Sequence, residues 1–442
     1  MTIFGSPASS ARPTSVRWKG GALVFLLCFV AYLDRIAFSV SASPIMKTLG
    51  IDPVQFGLIT TVFNIGYFVF QIPGGILIQR IGPRKAMALA ILAWSVFTAC
   101  TGLANSFVMI VATRFLFGAG EAPVFTAANS YFANWFPQRE RGKANSLMNA
   151  GAFLAPALGA MLLVPVITAV GWNSLFFVCA AIGVLACALW YFSVSDRPDQ
   201  SSKPNEAERA LISSDSDVAA SAKTTVPWRM FLRQRSFWTI ALGFFGTLWT
   251  IQFFIYWLPF YLEAARGVPF AQVGGYTSIS FVCITISVLF AGALSDAILK
   301  RTGSRFMARN LVAIGGLVLA AACLVLSTTT QDPLGTVLWL SLALGGAGFA
   351  QTLSWTMATD IGGQFTATVG SWMNTWGFVA AAIVPTVAPL IARQFGWTQV
   401  ILINAGIIVI GIIGIALTRT NERLRSGQES TVTTAAEPTL HR

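Results

Sequence analysis

The sequence predicts an all-α membrane protein of twelve transmembrane helices in two sets of six. Three observations lead to that expectation. Of the 442 residues, 55% are hydrophobic and only 10% are charged, where a soluble chain carries about a quarter charged residues. The apolar residues form long unbroken runs of about 20, the length that crosses a ~30 Å hydrocarbon core as a helix, not the short alternating segments of a barrel. The runs fall into two sets separated by one polar stretch.

Taken in order, the spans are expected at 20–42, 56–79, 86–104, 107–131, 144–168 and 172–194, then 236–262, 271–298, 308–328, 334–357, 366–391 and 397–418. This gives a tail (1–19), a first bundle (20–194), a linker (195–235), a second bundle (236–419) and a second tail (420–442). The linker contains "SDRPDQSSKPNEAERALISSDSDVAASAKTT", too polar to bury a core, with "EAERALIS" able to form a short surface helix. Basic residues decide orientation. Arg12, Arg17, Lys19, Arg80, Arg84, Lys85, Arg139, Arg141, Lys143, Lys300, Arg301, Arg305, Arg309, Arg419, Arg423 and Arg425 all fall on one side, against Lys47, Arg266 and Arg393 on the other. Both tails are therefore expected to be cytoplasmic, and the net charge of +12 marks topology and anionic lipid, with no nucleic-acid partner. No cleavable leader is expected, since the first apolar run is too long for a signal-peptide core. The six cysteines lie singly within spans with no CxxC pair, so packing is expected of them and neither a metal nor another cofactor.

Charge inside the first six spans is confined to four residues. "VAYLDRIAFS" places Asp34 beside Arg35, and the fourth span adds Arg114 and Glu121, seven residues apart and hence on one helix face. Ionisable groups at that depth are costly unless paired or set in a wet cavity. Two acids and two arginines suggest an internally neutral cluster. Two buried salt bridges that merely fasten helices are the bland alternative, weakened because desolvation offsets their attraction. The combination suits a proton-coupled anion carrier, with an arginine that stays charged and a carboxylate that gains or loses a proton. The one histidine is His441 in the tail, so proton coupling falls to Asp34, Glu121 or both. The second half offers amide, hydroxyl and aromatic groups instead: Gln252 beside Trp249, Tyr256 and Trp257; Thr352, Ser354 and Trp355; Ser371, Trp372, Asn374 and Trp376. Prolines 73, 123, 156, 259, 385 and 389 interrupt spans and are expected to bend them.

The halves also echo each other, with "GGILIQRIGPRK" after the second span and "GALSDAILKRTGSR" after the eighth, an internal repeat of parallel topology typical of secondary transporters. The loop carried by Gly75, Gln79, Arg80, Gly82, Arg84 and Lys85 resembles the loop motif of the major facilitator superfamily, which implies the major facilitator fold, two six-helix bundles around a central cavity. Within that superfamily, "YLDR", "QIPGG", "RFLFGAGEAP" and "WFPQRERGKA" resemble the anion:cation symporter family, over essentially the whole chain. The resemblance implies Asp34 and Glu121 for protonation, Arg35 for the substrate carboxylate, and Arg114 for coupling to the acids. It also implies ligand contact by Tyr32, Tyr67, Trp355 and Asn374, with Thr352, Ser354 and Gln252 as further candidates. Two departures stand out. Gln79 replaces the usual gating-loop acid, while Asp296 in the second half keeps its own. Ala152 stands where sugar-acid members carry an amide.

The expected function is secondary active transport: proton-coupled uptake of a small organic anion, first a carboxylate such as a sugar acid, by alternating access in a bacterial inner membrane, by a monomer. The alternatives are an aromatic acid or a small sulfonate moved in the same way, or a drug or metabolite exporter of this fold. No enzyme is expected, for there is no metal cluster, nucleotide loop or Ser/His arrangement in the sequence.

Overall fold

The computed structural model describes residues 12–213, 228–422 and 424, and all regular structure among them is helical. The linker centre (214–227), nearly all of the second tail, Arg423, Arg425 and His441 lie outside the described residues. The helices are α1 (Val16–Val40), α2 (Ala42–Leu49), α3 (Pro53–Ile81), α4 (Pro83–Gly102), α5 (Phe107–Glu121), α6 (Val124–Trp135) and α7 (Gln138–Ser193). They continue with α8 (Glu206–Ser213), α9 (Trp228–Phe231), α10 (Arg235–Arg266), α11 (Phe270–Thr302), α12 (Val312–Thr329), α13 (Pro333–Gly362), α14 (Thr366–Phe395) and α15 (Trp397–Leu417).

Eleven helices are long and apolar enough to cross a membrane, and one of them, over Lys143–Ser193, has 51 residues. At 1.5 Å per residue it would run about 75 Å, far beyond one bilayer. Gly171 resolves the excess. Its φ of 80° and ψ of 161° are open essentially to glycine alone, and they break α7 into two spans, which restores the twelve that the sequence predicts. Gly82 adopts the same conformation (φ 83°, ψ 159°) and joins α3 to α4 without any longer loop. The fourth span is divided as well: α5 ends at Glu121, and Pro123, which lacks an amide hydrogen, stands before α6. Pro73, Pro156, Pro259, Pro385 and Pro389 lie inside continuous helices.

The described residues form two compact units, the first drawn from 12–52 and 62–213, the second from 53–61, 228–422 and 424. In the first, α1 lies along α7, and α4 packs on α5 and α7. The expected short helix of the linker is present as α8, but it is docked and not merely solvated. Glu208 is fully buried and accepts hydrogen bonds from Val16 N (3.2 Å), Arg17 N (3.1 Å), Arg17 Nη1 (2.9 Å) and the Thr14 hydroxyl. It thus caps the first turn of α1, whose amide groups have no helical partner. Arg17 reaches on to Glu140 at the start of α7 (Nε to Oε2, 2.8 Å).

In the second unit α10 packs on α14 and α15, while α11 and α12 pack on α13. The first turns of α3 group here, where the Thr61 hydroxyl donates to the Ala382 carbonyl (2.8 Å).

Candidate functional site

Neighbouring residues on a helix point about 100° apart, so α1 sends Asp34 and Arg35 to different partners. Arg35 turns towards α5. Its Nη2 lies 2.8 Å from Glu121 Oε1, and its Nε lies 2.9 and 3.2 Å from the two carboxylate oxygens. Glu121 is fully buried and Arg35 nearly so. Three aromatic rings surround the guanidinium: Tyr32 at 4.6 Å from its carbon, Phe63 at 5.1 Å and Tyr67 at 5.2 Å. Phe63 and Tyr67 stand one turn apart on α3 and so share a face. They come this close because Gly118 of α5 has no side chain: a Cβ there would overlap the Phe63 carbonyl and approach the Tyr67 amide.

Asp34 turns the other way and is 0% exposed. Its charged neighbours are Arg114 and Glu121, yet it makes no ion pair among the described residues, and neither of its oxygens completes a hydrogen bond. Arg114, 2% exposed, is caged by Phe117 (4.4 Å), Phe38 (4.5 Å) and Phe176 (5.3 Å). Its Nη2 donates to the Thr101 hydroxyl at 3.1 Å.

The first unit contains Tyr32, Asp34, Arg35, Tyr67, Arg114 and Glu121 with one ion pair among them, Arg35–Glu121, while Asp34 and Arg114 are housed separately. Chemically, a solute carboxylate or sulfonate offers the same two-oxygen geometry that Glu121 presents to Arg35, and the rings add cation–π attraction for the guanidinium.

The second-unit candidates are described within their own unit. Gln252 is buried, as is Ser354, whose hydroxyl has no bonded partner. The Thr352 hydroxyl donates to the Gly348 carbonyl (3.2 Å) and the Val288 carbonyl (3.4 Å), so it is committed to helix backbone. Trp355 is 43% exposed and meets Phe244 edge to face at 5.9 Å. Asn374 is half-buried. Trp372 stacks on Phe237 at 5.0 Å and donates to its carbonyl, and Trp257 donates to the Pro385 carbonyl, so both are packing residues.

In the loop motif between α3 and α4 Gln79 and Arg80 are exposed, and Gly75 has open space where a side chain would be. Beyond Gly82, the Arg84 amide donates to Asp196 (2.7 Å) and its guanidinium to the Tyr191 carbonyl. In the second unit Arg309 bridges Asp296 (2.9 Å) and Asp360 (3.3 Å), an ion-pair link that the uncharged Gln79 cannot form.

Sequence reasoning missed Phe63, the three rings around Arg114, and Thr101. An isolated Phe or Thr in an apolar span carries no signal of what it will face.

Two apolar bundles with a buried charge cluster define a secondary-transporter architecture rather than an enzyme. Comparison with known proteins gives the family. The model of the Major Facilitator Superfamily matches residues 24–385, and the chain belongs to that superfamily. It is 31% identical over 390 residues to the probable sulfoacetate transporter of Cupriavidus necator, covering 88% of this chain and 90% of that one. It is likewise 31% identical over 410 residues to the probable galactarate/D-glucarate transporter of Bacillus subtilis, covering 89% of each. It is 27% identical over 422 residues to a D-galactonate transporter of Escherichia coli, covering 93% and 97%. Among solved structures, a bacterial homologue of the human lysosomal transporter Spinster, inward-facing and unoccupied, superposes with a TM-score of 0.75. At 17% identity, over 94% of this chain and 98% of that one, it supports the fold alone.

Proposed function

We propose that this transporter takes up a small organic anion together with one or more protons, by alternating access, across a bacterial inner membrane with both termini cytoplasmic. The observation that carries the reading is the Arg35–Glu121 pair inside its wall of Tyr32, Phe63 and Tyr67. Arginine keeps its charge at any physiological pH, so something anionic must always face it. With the site empty, Glu121 does so. When an anion arrives, Glu121 can take a proton and yield its place, and the charge of the loaded site is unchanged. An ion without its proton would leave two anions competing for one guanidinium, which opposes loading.

Sugar acids stand first as substrates, since several relatives are named for galactarate, D-glucarate or galactonate. A small sulfonate is the second reading, favoured by the sulfoacetate relative and by Ala152, buried and without the hydrogen-bonding amide that a heavily hydroxylated anion would use.

The test is thermal stabilisation of the purified full-length protein against aldonates, aldarates, uronates, aromatic acids, short dicarboxylates and sulfonates. Ligand that binds the native state raises stability by mass action. Uptake of the stabilising anion into proteoliposomes, with and without an imposed proton gradient, then follows. Stabilisation by one anion class and gradient-driven accumulation are expected. Shifts only with cationic or neutral amphiphiles would replace this reading by that of an exporter.

A further inference from the structure

Asp34 poses a problem that the ion pair does not solve. It is fully buried, and both of its oxygens lack a bonded partner. A carboxylate in that position is among the costliest groups a bundle can hold. Its surroundings are distinctive on every side. From α5 come Arg114 and Glu121, and from its own helix the adjacent Arg35. From the second half of α7 comes the Cys179 thiol, and from α4 the Thr98 hydroxyl. Glu121 is held by Arg35, and Arg114 donates to Thr101, while Thr98 and Cys179 are the uncharged donors in the neighbourhood of the acid. The Thr98 hydroxyl is itself fully buried with no bonded partner. Two buried polar groups without a bonded partner thus lie in one neighbourhood, Thr98 standing one turn from the Thr101 that holds Arg114.

We propose that Thr98, with Cys179 beside it, is the positioning residue that sets the proton affinity of Asp34. A hydroxyl suits this task because it both donates and accepts. It donates to Asp34 as a carboxylate and accepts from Asp34 once the proton has arrived, so a rotation about one side-chain bond serves both states. Thr98 and Thr101 are three residues apart on α4 and share a face. The same helix therefore presents one hydroxyl to the acid and the next to Arg114. Cys179 is the weaker donor and closes the niche from α7.

The proposal rests on the proton-coupled reading above, and its test separates the two. Full-length protein carrying Thr98→Val, which keeps the shape and removes the hydroxyl, is compared in proteoliposomes with Thr98→Ser, which keeps the hydroxyl. Uptake is followed against pH, and substrate counterflow is followed at equal pH on both sides. A hydrogen bond to the carboxylate is stronger than one to the neutral acid, so the Thr98 hydroxyl on balance favours the charged form. Thr98→Val should therefore move the midpoint of the uptake profile by about one pH unit towards alkaline pH, the equivalent of one buried hydrogen bond. Thr98→Ser should restore the wild-type midpoint, and Cys179→Ala should shift it in the same direction by less. Counterflow should stay within about threefold of wild type, since exchange needs no net proton movement.

An unchanged midpoint in Thr98→Val overturns the assignment while leaving proton coupling intact. A wild-type protein whose uptake ignores the proton gradient overturns the coupling itself. If Thr98→Val fails to fold, the infrared band of the protonated Asp34 carboxyl, assigned by its loss in Asp34→Asn, serves instead in the Cys179→Ala and Thr98→Ser proteins. A band displaced in Cys179→Ala and kept in Thr98→Ser supports the proposal, and one unmoved in Cys179→Ala overturns it.

Discussion

Glu121→Gln removes one charge from the first unit and almost nothing of its shape. In the wild-type protein the carboxylate meets Arg35 through three contacts of 2.8 to 3.2 Å, with both groups out of water. The amide keeps one acceptor for the guanidinium and loses both the charge and the second acceptor. Breaking a buried pair outright costs about 3–5 kcal/mol. The retained hydrogen bond and the rings of Tyr32, Phe63 and Tyr67, together worth on the order of 1–2 kcal/mol, leave a net loss of about 2 kcal/mol in the empty protein. The same quantity appears with opposite sign in binding. The wild-type site must release Arg35 from Glu121 before an anion can take it, and the variant need not. The anion should bind roughly 30-fold more tightly, the equivalent of those 2 kcal/mol. Counterflow should persist, while accumulation against a gradient should fall to the equilibrium level because no proton is carried. Isothermal titration of the purified variant and paired uptake assays read all three quantities. Weaker anion binding together with preserved accumulation would refute both the competition and the role of Glu121.

Arg35→Gln should abolish uptake and lower stability by about 3 kcal/mol, since Glu121 is then buried without its cation; uptake above half of wild type would remove Arg35 from the site. Gly118→Ala should press α5 against the Phe63 carbonyl and cost about 1–3 kcal/mol, seen as a lower melting temperature with a raised KM. A variant that melts like wild type with unchanged KM would show that the helices yield freely there. Glu208→Gln takes the charge from the carboxylate that caps α1 and holds Arg17. It should destabilise the protein by about 2 kcal/mol without altering which anions bind, and a denaturation midpoint equal to wild type would mean that α8 docks through apolar contact alone.

The twelve spans were legible because crossing a bilayer demands one long apolar run per helix, and the chain has no cheaper way to satisfy its backbone there. The reversal at Gly171 lies between the spans expected at 144–168 and 172–194, although the backbone remains almost continuously helical through it. The four charges were legible for the same reason: anything ionisable in such a run stands out. Their pairing was not. Which acid meets which arginine depends on how α1 and α5 are rotated about their axes, and the composition of an apolar helix says little about that. Arg114 and Glu121 share a face as their spacing predicts, yet Glu121 pairs across to Arg35 while Arg114 is left to phenylalanines. Glu208 was hidden differently. In a polar linker one more glutamate is unremarkable, and only the exposed amides of the first turn of α1 single it out.

The two acids are set apart by a single step along α1. Because Asp34 and Arg35 diverge, an anion that binds at Arg35, as proposed, would meet Glu121 directly and influence Asp34 only through the shared neighbours Arg114 and Glu121. On the proposed reading, the change in anion affinity should follow Glu121, and the shift of the pH profile caused by Thr98→Val should follow Asp34. The double variant Glu121→Gln with Thr98→Val tests the separation. Sites without shared partners add to within about 0.5 kcal/mol, so tighter binding with an unaltered shift of the pH profile would make the two sides independent. A departure from additivity beyond about 1 kcal/mol would instead make Arg114, caged by three rings and bonded to Thr101, the link through which substrate binding is felt at Asp34. The absence of any ion pair at Asp34 among the described residues favours that second outcome. A carboxylate fixed by its own cation would be insulated from events at Arg35, while one without a bonded partner, in the field of a neighbouring arginine, must respond when that field changes.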